Sequence, residues 1–454
     1  MIGFHPIRAP YILFVRRWVL EVSVRRHRPL ILAAIVVIAL GCSASPAVTP
    51  SLQSLAAPSE SAAAGLSSPV ASAPSWADDL ALVDAQVRAN HPNPFANNPE
   101  SAWVAKLAEL GRTLPTATLD KQTVQLAGLT GLLDTHTCLC GPGHLYPVWM
   151  YRFPEGWFVV RAKDESLVGF RLTAIGDTPV AAIETTLRPL VPSDNESGEL
   201  TGLQDVLSTM EFLHGLGIVD DPQKPAFAFE KQDGSSVTVD LAPEPSDSAW
   251  VTGLIGYLMG DANDAVKRRG EAVWTRLDKP TKTFVLSYND YTENDLGPAL
   301  EAMTRSLDDG SAVRVVVDMR YIRGGNGGLA LPLIQALEND KRINRVGGLT
   351  VLIGRENASA GTFVAGTLDR ETKAVLIGEP TPARADNFLC PCMEINLSNT
   401  SWVVSIPTDF LANGDKRDAV LPDIPVALSA VDYFAGRDPA LAMALAGSVA
   451  SPSP

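Results

Sequence analysis

The stretch VRVVVDMRYIRGGNGG, residues 313–328, joins an apolar run to a glycine-rich segment. Its first seven residues predict a strand buried on both faces, because apolar residues are nearly continuous along it. The glycines predict an irregular turn into the helix that follows. On both sides of this stretch, similar apolar strands alternate with amphipathic helices between residues 283 and 377. That alternation predicts an α/β core in which helices cover a sheet.

The predicted elements form three groups along the chain. Helical spacing of apolar residues predicts helices at Trp76–Asn90, Ser101–Thr113 and Leu119–Leu133. Short β-rich runs predict strands at Trp157–Arg161, Phe170–Ile175 and Val237–Leu241. In the α/β core, the predicted strands are Thr283–Tyr288, Val313–Met319, Leu349–Ile353 and Ala374–Ile377, and the helices are Leu296–Leu307, Gly328–Glu338 and Gly361–Leu368.

Length and composition indicate a globular protein of several domains. The chain has 454 residues, of which 46% are hydrophobic and 19% are charged. It is long enough to bury a sizeable core, which excludes a small disulfide scaffold. The formal net charge of −14 would repel phosphate backbones and anionic lipid. Nucleic acid is therefore not an expected partner.

The start of the chain has the pattern of a secretory signal. Five arginines between Arg16 and Arg28 precede an apolar run from Leu30 to Gly41. Twelve residues are too few for a permanent membrane helix, which needs about 20. Cys42, which closes the run, is similar to the lipidated cysteine of bacterial lipoproteins. We expect an exported protein, either secreted or lipid-anchored through Cys42 to the outer face of the cytoplasmic membrane.

Composition and periodicity divide the chain into five segments. They are a signal peptide (1–41), a disordered Ser/Ala/Pro-rich tether (42–75), a helical N-terminal domain (76–135), a β-containing middle region (136–260) and the α/β core (261–450).

A serine follows the strand 349–353 at a predicted strand-to-helix junction. Ser359 lies in RENASAGTF, residues 355–363. A serine at such a junction is exposed near helix N-terminal amides, as an activated nucleophile would be. It could equally be an ordinary helix N-cap. In the preceding loop, Asp318 and Arg320 are expected to hold the glycine-rich turn in place.

Several motifs together resemble the tail-specific, or carboxyl-terminal processing, serine protease family, to which the tricorn core also belongs. Four of them follow in the family's order and spacing: DMRYIRGGN (318–326), NASAGTFVAGTL (357–368), VLIGEPT (375–381) and LPDIPV (421–426). Two upstream segments are similar more weakly. LLDTHTCL (132–139) resembles the DGHT segment of the histidine-using branch, and HPNPF (91–95) resembles the helical domain that often precedes it.

The resemblance implies a ClpP- and crotonase-like core of repeated β-β-α units that hydrolyses peptides through an acyl-enzyme on serine. The family's nucleophile corresponds to Ser359. One branch uses a lysine base 25 residues further on, but Arg384 occupies that position and does not deprotonate usefully near neutral pH. The base implied by the other branch is His136, because imidazole can accept and return a proton. His144 is the second choice.

The remaining site residues are also carried over from the family. Asp418 is our choice for the acid that orients the imidazole, with Asp415 as the alternative, because Lys416 stands where the family has glutamate. Glu379 is expected to position loops instead. The amides of three residues are candidates for stabilising a developing oxyanion: Gly324, Gly325 and Ala360.

The middle region includes SLVGFRLTAIGDTPVAAI, residues 166–183, which resembles the hairpin and helix of PDZ-like modules in this family. Such modules bind a peptide strand at a sheet edge. A β-hairpin without a binding role is an equally good interpretation.

Four cysteines beyond Cys42 form two Cys-x-Cys pairs, Cys138/Cys140 and Cys390/Cys392. An exported chain favours disulfides, and bridging within a pair would close a small strained ring. We therefore expect at least one disulfide between the two segments. The alternative is a zinc clip, although structural zinc ligands are usually spaced more widely.

Together these features predict an exported serine peptidase that acts on peptides or proteins and requires no metal or other cofactor. The alternative is a catalytically impaired lipoprotein that binds peptides or envelope partners, which the missing lysine motivates. A third class is a structural lipoprotein held by a zinc clip.

Overall fold

The computed structural model describes residues 75–248, 250, 270–291, 296–412 and 414–447. The predicted signal peptide, Cys42 and nearly all of the predicted tether lie outside these residues. In the part of the chain that is described, no helix has both the length and the apolar character needed to cross a membrane.

The helices and strands are as follows. The helices are α1 (Trp76–Asn90), α2 (Glu100–Thr113), α3 (Leu119–Thr130), α4 (Val180–Leu187), α5 (Glu196–Val206), α6 (Met210–Gly215), α7 (Gly297–Asp308), α8 (Leu331–Asn339), α9 (Ala360–Glu371), α10 (Ala430–Phe434) and α11 (Pro439–Ala446). The strands are β1 (Cys138–Cys140), β2 (His144–Leu145), β3 (Val148–Phe153), β4 (Gly156–Ala162), β5 (Arg171–Ile175), β6 (Thr178–Pro179), β7 (Ala226–Glu230), β8 (Ser236–Asp240), β9 (Glu244–Pro245), β10 (Val273–Asp278), β11 (Thr283–Tyr288), β12 (Arg314–Asp318), β13 (Leu349–Ile353), β14 (Val375–Gly378), β15 (Asn387–Asn396), β16 (Val403–Leu411) and β17 (Ile424–Pro425).

The central sheet has the order β10-β11-β12-β13-β14-β17. Its strands from β11 onward are parallel, and β10 joins β11 as an antiparallel hairpin. Every residue of β11, β13 and β14 is buried, as expected for strands covered by helices on both faces. The α/β prediction is confirmed. The implied β-β-α repeat is not confirmed by this sheet, in which single strands alternate with single helices from β11 to β14.

Parallel strands bring their carboxyl ends to one edge of the sheet, so the segments that follow β11, β12 and β13 meet there. The amide of Asn326, after β12, donates to the carbonyl of Tyr291, after β11, at 2.8 Å. The amide of Ala358, after β13, donates to the carbonyl of Ile322 at 3.0 Å. These bonds join the glycine-rich turn to the serine loop.

Arg320 holds the glycine-rich turn, as the sequence predicts. Its guanidinium donates to Asp318 at 2.9 and 2.7 Å and to Asp438 at 2.8 and 2.7 Å. Asp438 comes from the start of α11, a partner that the sequence did not indicate. The paired, planar contacts fix the direction in which the chain leaves β12.

The middle region contains a second sheet with the order β3-β4-β5-β7-β8, to which β6 is attached. Within residues 166–183, β5 and β6 form a short antiparallel hairpin and α4 follows directly. This is the hairpin and helix that the sequence predicts. A PDZ-like binding role for it stays a prediction.

The third sheet joins the segment that follows the N-terminal helices to a long hairpin of the core. Its order is β1-β16-β15, and its apolar side chains pack with those of α1, α2 and α3 in one buried cluster. Asp79 of α1 is buried and accepts from the amides of Ser398 and Asn399, at 2.8 and 3.0 Å, in the β15–β16 turn. The N-terminal helices are thus held against the hairpin formed by β15 and β16.

This sheet order corrects the predicted disulfide pairing. Cys138 is bonded to Cys140, and Cys390 is bonded to Cys392. Strand β16 lies between the two pairs, and Cys138 is opposite Ser405 whereas Cys392 is opposite Pro407. Two strand spacings across the sheet and an offset of two residues along it place the Cα atoms of Cys138 and Cys392 about 12 Å apart. A disulfide can bridge Cα atoms only up to roughly 7 Å apart. With all four sulfurs paired in this way, the thiolates of a zinc clip are not available.

We expect non-reducing peptide mapping to find both bridges within their pairs. Cleavage of the chain between residues 140 and 390 should then release the two cysteine-containing peptides separately without a reductant. Recovery of the two peptides linked to each other by a disulfide would contradict the observed strand order.

Candidate active site

Ser359 is held in a conformation that a serine rarely adopts. It lies between β13 and α9 with φ +52° and ψ −123°. Positive φ in a residue with a side chain costs about 1–3 kcal/mol and persists only where the surroundings impose it. Here the carbonyl of Ser359 accepts a hydrogen bond from the Asn387 side chain at 2.7 Å. The amide of the preceding residue, Ala358, donates to the carbonyl of Ile322. The Ser359 hydroxyl makes no capping bond to α9, so the N-cap interpretation is not supported.

Gly324 lies directly against Ser359. A Cβ atom added at this glycine would be 2.8 Å from Ser359 Cβ, closer than atoms of this kind approach. Gly324 and Gly325 also have φ of +127° and +109°, which favour glycine strongly. On the other side of the serine, Ala360 begins α9, so its N–H has no acceptor within the helix. Two of the predicted oxyanion donors, Gly324 and Ala360, therefore adjoin Ser359, and Gly325 follows in the same turn.

Ser359 and His136 line one cavity of about 620 Å³, which we call the Ser359 cavity. Its walls come from residues 135–140, from one face of α5, and from Arg323 and Ala358 beside the serine. The structure thus brings to one cavity the two residues that the family resemblance selects, although 223 positions separate them in the sequence.

His136 is almost completely enclosed, with 9% of its side chain exposed. Burial lowers the pKa of His136 below its usual value of 6.5, although the charges of Asp134 and Asp194 oppose this effect. The imidazole is therefore neutral at neutral pH. Its Nδ1 atom has no hydrogen-bond partner among the described residues and lies 3.9 Å from Asp134 Oδ1.

Asp134 organises this segment instead of bonding the imidazole ring. Its carboxylate accepts from the backbone amide of His136 at 2.8 Å, from the Thr137 hydroxyl at 3.1 Å and from His91 Nε2 at 2.6 Å. His91 Nδ1 accepts from the amide of Asn93, so the proton of this ring is on Nε2. Burial alone would raise the pKa of Asp134, but the His91 bond and the nearby His136 hold it below its usual range.

The pairing of His91 with Asp134 was not predicted. Both residues lie in recognisable motifs, HPNPF and LLDTHTCL, but the first motif indicates only a helical domain. The ring of His91 also contacts that of Phe388 at a tilted angle, with centroids 5.0 Å apart. A buried histidine that joins three distant segments has no local sequence signal, because its burial depends on how those segments pack.

The structure does not bring the chosen acid to the imidazole. The carbonyl of Asp418 accepts from Asn195 at 2.6 Å, and Asp418 lines a different cleft, with Asp194 and Arg384. Asp134 and Asp194 are the carboxylates whose charges act on His136. The assignment of Asp418 as the orienting acid is therefore not supported.

The other carboxylates considered have different partners. Asp415 binds Arg417 through both oxygens, at 2.9 and 3.0 Å from Nε. Glu379 pairs with Arg355 at 3.1 Å, which agrees with its predicted role in positioning loops. His144 binds Glu211 at 2.8 Å and is 45% exposed, and it is not part of the wall of the Ser359 cavity.

Arg384, which replaces the lysine of the other branch, is directed away from the serine. It pairs with Asp194 at 3.3 Å, donates to Asn97 and lies over the ring of Phe388 at 5.4 Å. It lines the cleft that contains Asp418 and is not part of the wall of the Ser359 cavity. Its role is to join the N-terminal helices to the core.

The overall fold is similar to solved structures of CPAF. Mature CPAF has 13% sequence identity and a TM-score of 0.55, and the match covers 83% of this chain and 98% of that chain. The chain has the CPAF fold. CPAF complexed with lactacystin also matches, with a TM-score of 0.54 and 13% identity, over 79% of this chain and 94% of that one.

Other solved structures match this chain with lower TM-scores. One is a photosystem II D1 C-terminal processing protease, with 14% identity and a TM-score of 0.36 over 79% of this chain and 95% of that chain. No family model and no curated protein matches the sequence. At these identities the likeness to CPAF shows the fold alone.

Proposed function

We propose that this protein is a serine peptidase that hydrolyses peptide bonds through an acyl-enzyme on Ser359. The observation that carries this proposal is the strained Ser359 at the start of α9, which shares a cavity with a buried histidine. The serine exposes its hydroxyl where helix amides and the glycine-rich turn meet. Such a geometry serves nucleophilic attack and stabilisation of the resulting oxyanion.

In the proposed reaction, His136 accepts the hydroxyl proton as Ser359 Oγ attacks the peptide carbonyl. The C–N bond then breaks, and His136 returns the proton to the departing amine, leaving an ester on Ser359. Water enters, and His136 accepts a proton from it as the water oxygen attacks the ester. The C–O bond to Ser359 then breaks, and His136 returns the proton to Ser359 Oγ, which frees the carboxylic acid product and restores the serine. The amides of Gly324 and Ala360 are suited to bind the oxyanion that forms during acylation and again during deacylation.

Reaction with a fluorophosphonate probe tests the nucleophile. The wild type should form a covalent adduct on Ser359, because the probe phosphonylates activated serines and releases fluoride. Ser359→Ala should not react, and it should not cleave peptides that the wild type cleaves. An unlabelled but folded wild type would contradict the proposal.

The dependence of kcat/KM on pH tests the base. His136 must be neutral to accept a proton, and burial lowers its pKa below 6.5. Activity should therefore persist as the pH falls through 6.5 and decline only below it. The measurement is kcat/KM between pH 4.5 and 8 on a peptide without ionising groups. An acidic limb centred at or above pH 6.5 would exclude this histidine environment.

One observation favours the alternative, a peptide-binding protein with impaired catalysis. His136 Nδ1 is 3.9 Å from Asp134 Oδ1, too far for the hydrogen bond that orients the base in serine triads. Under this alternative, peptides bind in the Ser359 cavity, but the fluorophosphonate probe does not react.

We also propose that the protein is exported and lipid-anchored through Cys42. This proposal rests on the basic and apolar pattern of residues 1–42.

A further inference from the structure

The Ser359 cavity contains a carboxylate that the proposed chemistry does not use. Asp205 is near the end of α5, on the face formed with Gly198, Thr201 and Gly202 that lines this cavity. The spacing of these residues, three or four apart, places them on one side of the helix. Arg323, Ala358, Ser359 and His136 line the same cavity.

The Asp205 carboxylate has no ion pair or side-chain hydrogen bond among the residues that the structure describes. Asp205 is an exposed residue whose surface opens into the cavity, and partial desolvation by the surrounding protein raises the pKa of Asp205. The positive charge of Arg323 opposes this effect from a distance too great for an ion pair. A carboxylate in such surroundings is stabilised when a cation binds to it.

The rest of the cavity suits a long side chain that ends in a charge. Apolar side chains also line it, among them Leu139, Val191, Val206 and Phe212. The methylene groups of lysine or arginine pack well on such surfaces, while the charged end reaches a polar partner. An apolar substrate side chain would fill the same space but leave the carboxylate unpaired.

We propose that Asp205 selects peptide substrates that carry a lysine or arginine side chain close to the bond that is cut. This inference rests on the proposed peptidase function and adds its substrate class. Asp205 binds the cationic end of the substrate side chain, and the apolar wall holds the stem. Since Asp205 is on α5 and not in the motifs of the core, its role is separate from that of Ser359 and His136.

Peptide pairs that differ only by lysine or norleucine at one position test this selection. Norleucine keeps the methylene stem and removes the ammonium group. The substitution should be scanned through the positions flanking the cleaved bond, and kcat/KM measured for each pair. At one position the wild type should prefer lysine by about tenfold or more, as expected for hydrogen bonds to a charged group. Asp205→Asn should abolish this preference, so that its kcat/KM values for the lysine and norleucine peptides become equal.

A matched control comes from the same helix. Glu196→Gln also removes one negative charge from α5, but Glu196 lines the other cleft, beside Asp418. This variant should keep the wild-type preference for lysine. A wild type without the preference, or an Asp205→Asn variant that retains it, would overturn the proposal. A wild type without the preference is the result expected if Arg323 turns to pair with Asp205 in solution.

A binding measurement separates this proposal from the peptidase function. If Ser359 is not labelled and no peptide is cleaved, the proposed function fails, but calorimetry with the Ser359→Ala protein can still compare the lysine and norleucine peptides. Tighter binding of the lysine peptide, lost in the Ser359→Ala/Asp205→Asn double variant, supports the selection by Asp205. Equal binding of both peptides refutes it.

Discussion

Replacing His136 by alanine is expected to lower kcat at least about a thousandfold, and Ser359→Ala should have a similar effect. The double variant should be hardly slower than either single variant, because a nucleophile without its base and a base without its nucleophile are equally ineffective. The measurement is kcat for the three variants on one peptide, with the free energy of unfolding determined for each.

His144→Ala is the matched control for this loss. His144 is half-exposed, paired with Glu211 and outside the wall of the Ser359 cavity. Its removal should leave kcat close to that of the wild type. Near-normal turnover in His136→Ala would remove the histidine from the mechanism, and additive losses in the double variant would show that the two residues do not act together.

Gly324→Ala is expected to lower kcat/KM by about 10²–10³-fold, the range found when an oxyanion donor is displaced. The new Cβ would be 2.8 Å from Ser359 Cβ, so either the glycine-rich turn or the serine must move. The positive φ of +127° adds strain of about 1–3 kcal/mol to the folded state. Steady-state kinetics and denaturant unfolding measure the two effects separately.

Gly234→Ala separates the strain from the contact. Gly234 also has a positive φ, +82°, but nothing lies within 4 Å of a Cβ added there. This variant should lose stability to a similar degree and keep its activity. If Gly324→Ala were as active as Gly234→Ala, the glycine-rich turn would not contribute to the reaction.

The central sheet could be predicted from the sequence because its signals are local. Strands Thr283–Tyr288 and Leu349–Ile353 have the predicted bounds, and α9 begins one residue before its predicted start. Apolar continuity identifies a strand covered on both faces, and small residues identify the junction after it. The position of Ser359 at that junction follows from the same pattern.

The surroundings of His136 could not be predicted in this way. The motif selected the histidine, but the bond between His91 and Asp134 forms across 43 positions and depends on how α1 packs on the core. Asp418 was chosen by its place near a family motif. Distance along the chain does not show which carboxylate a folded loop directs toward an imidazole, and here that loop directs Asp418 into another cleft.

Local sequence patterns specify the α/β core and the serine at its strand-to-helix junction, because hydrophobic periodicity acts within one element and a short window of sequence records it. The pairing of the cysteines, the carboxylates around His136 and the position of Asp205 in the cavity of Ser359 depend on how the elements pack. Strand order, burial and the approach of charges arise only when distant elements pack together. Strand β16 between the two cysteine pairs is the clearest case, because the composition of either segment alone gives no sign of it.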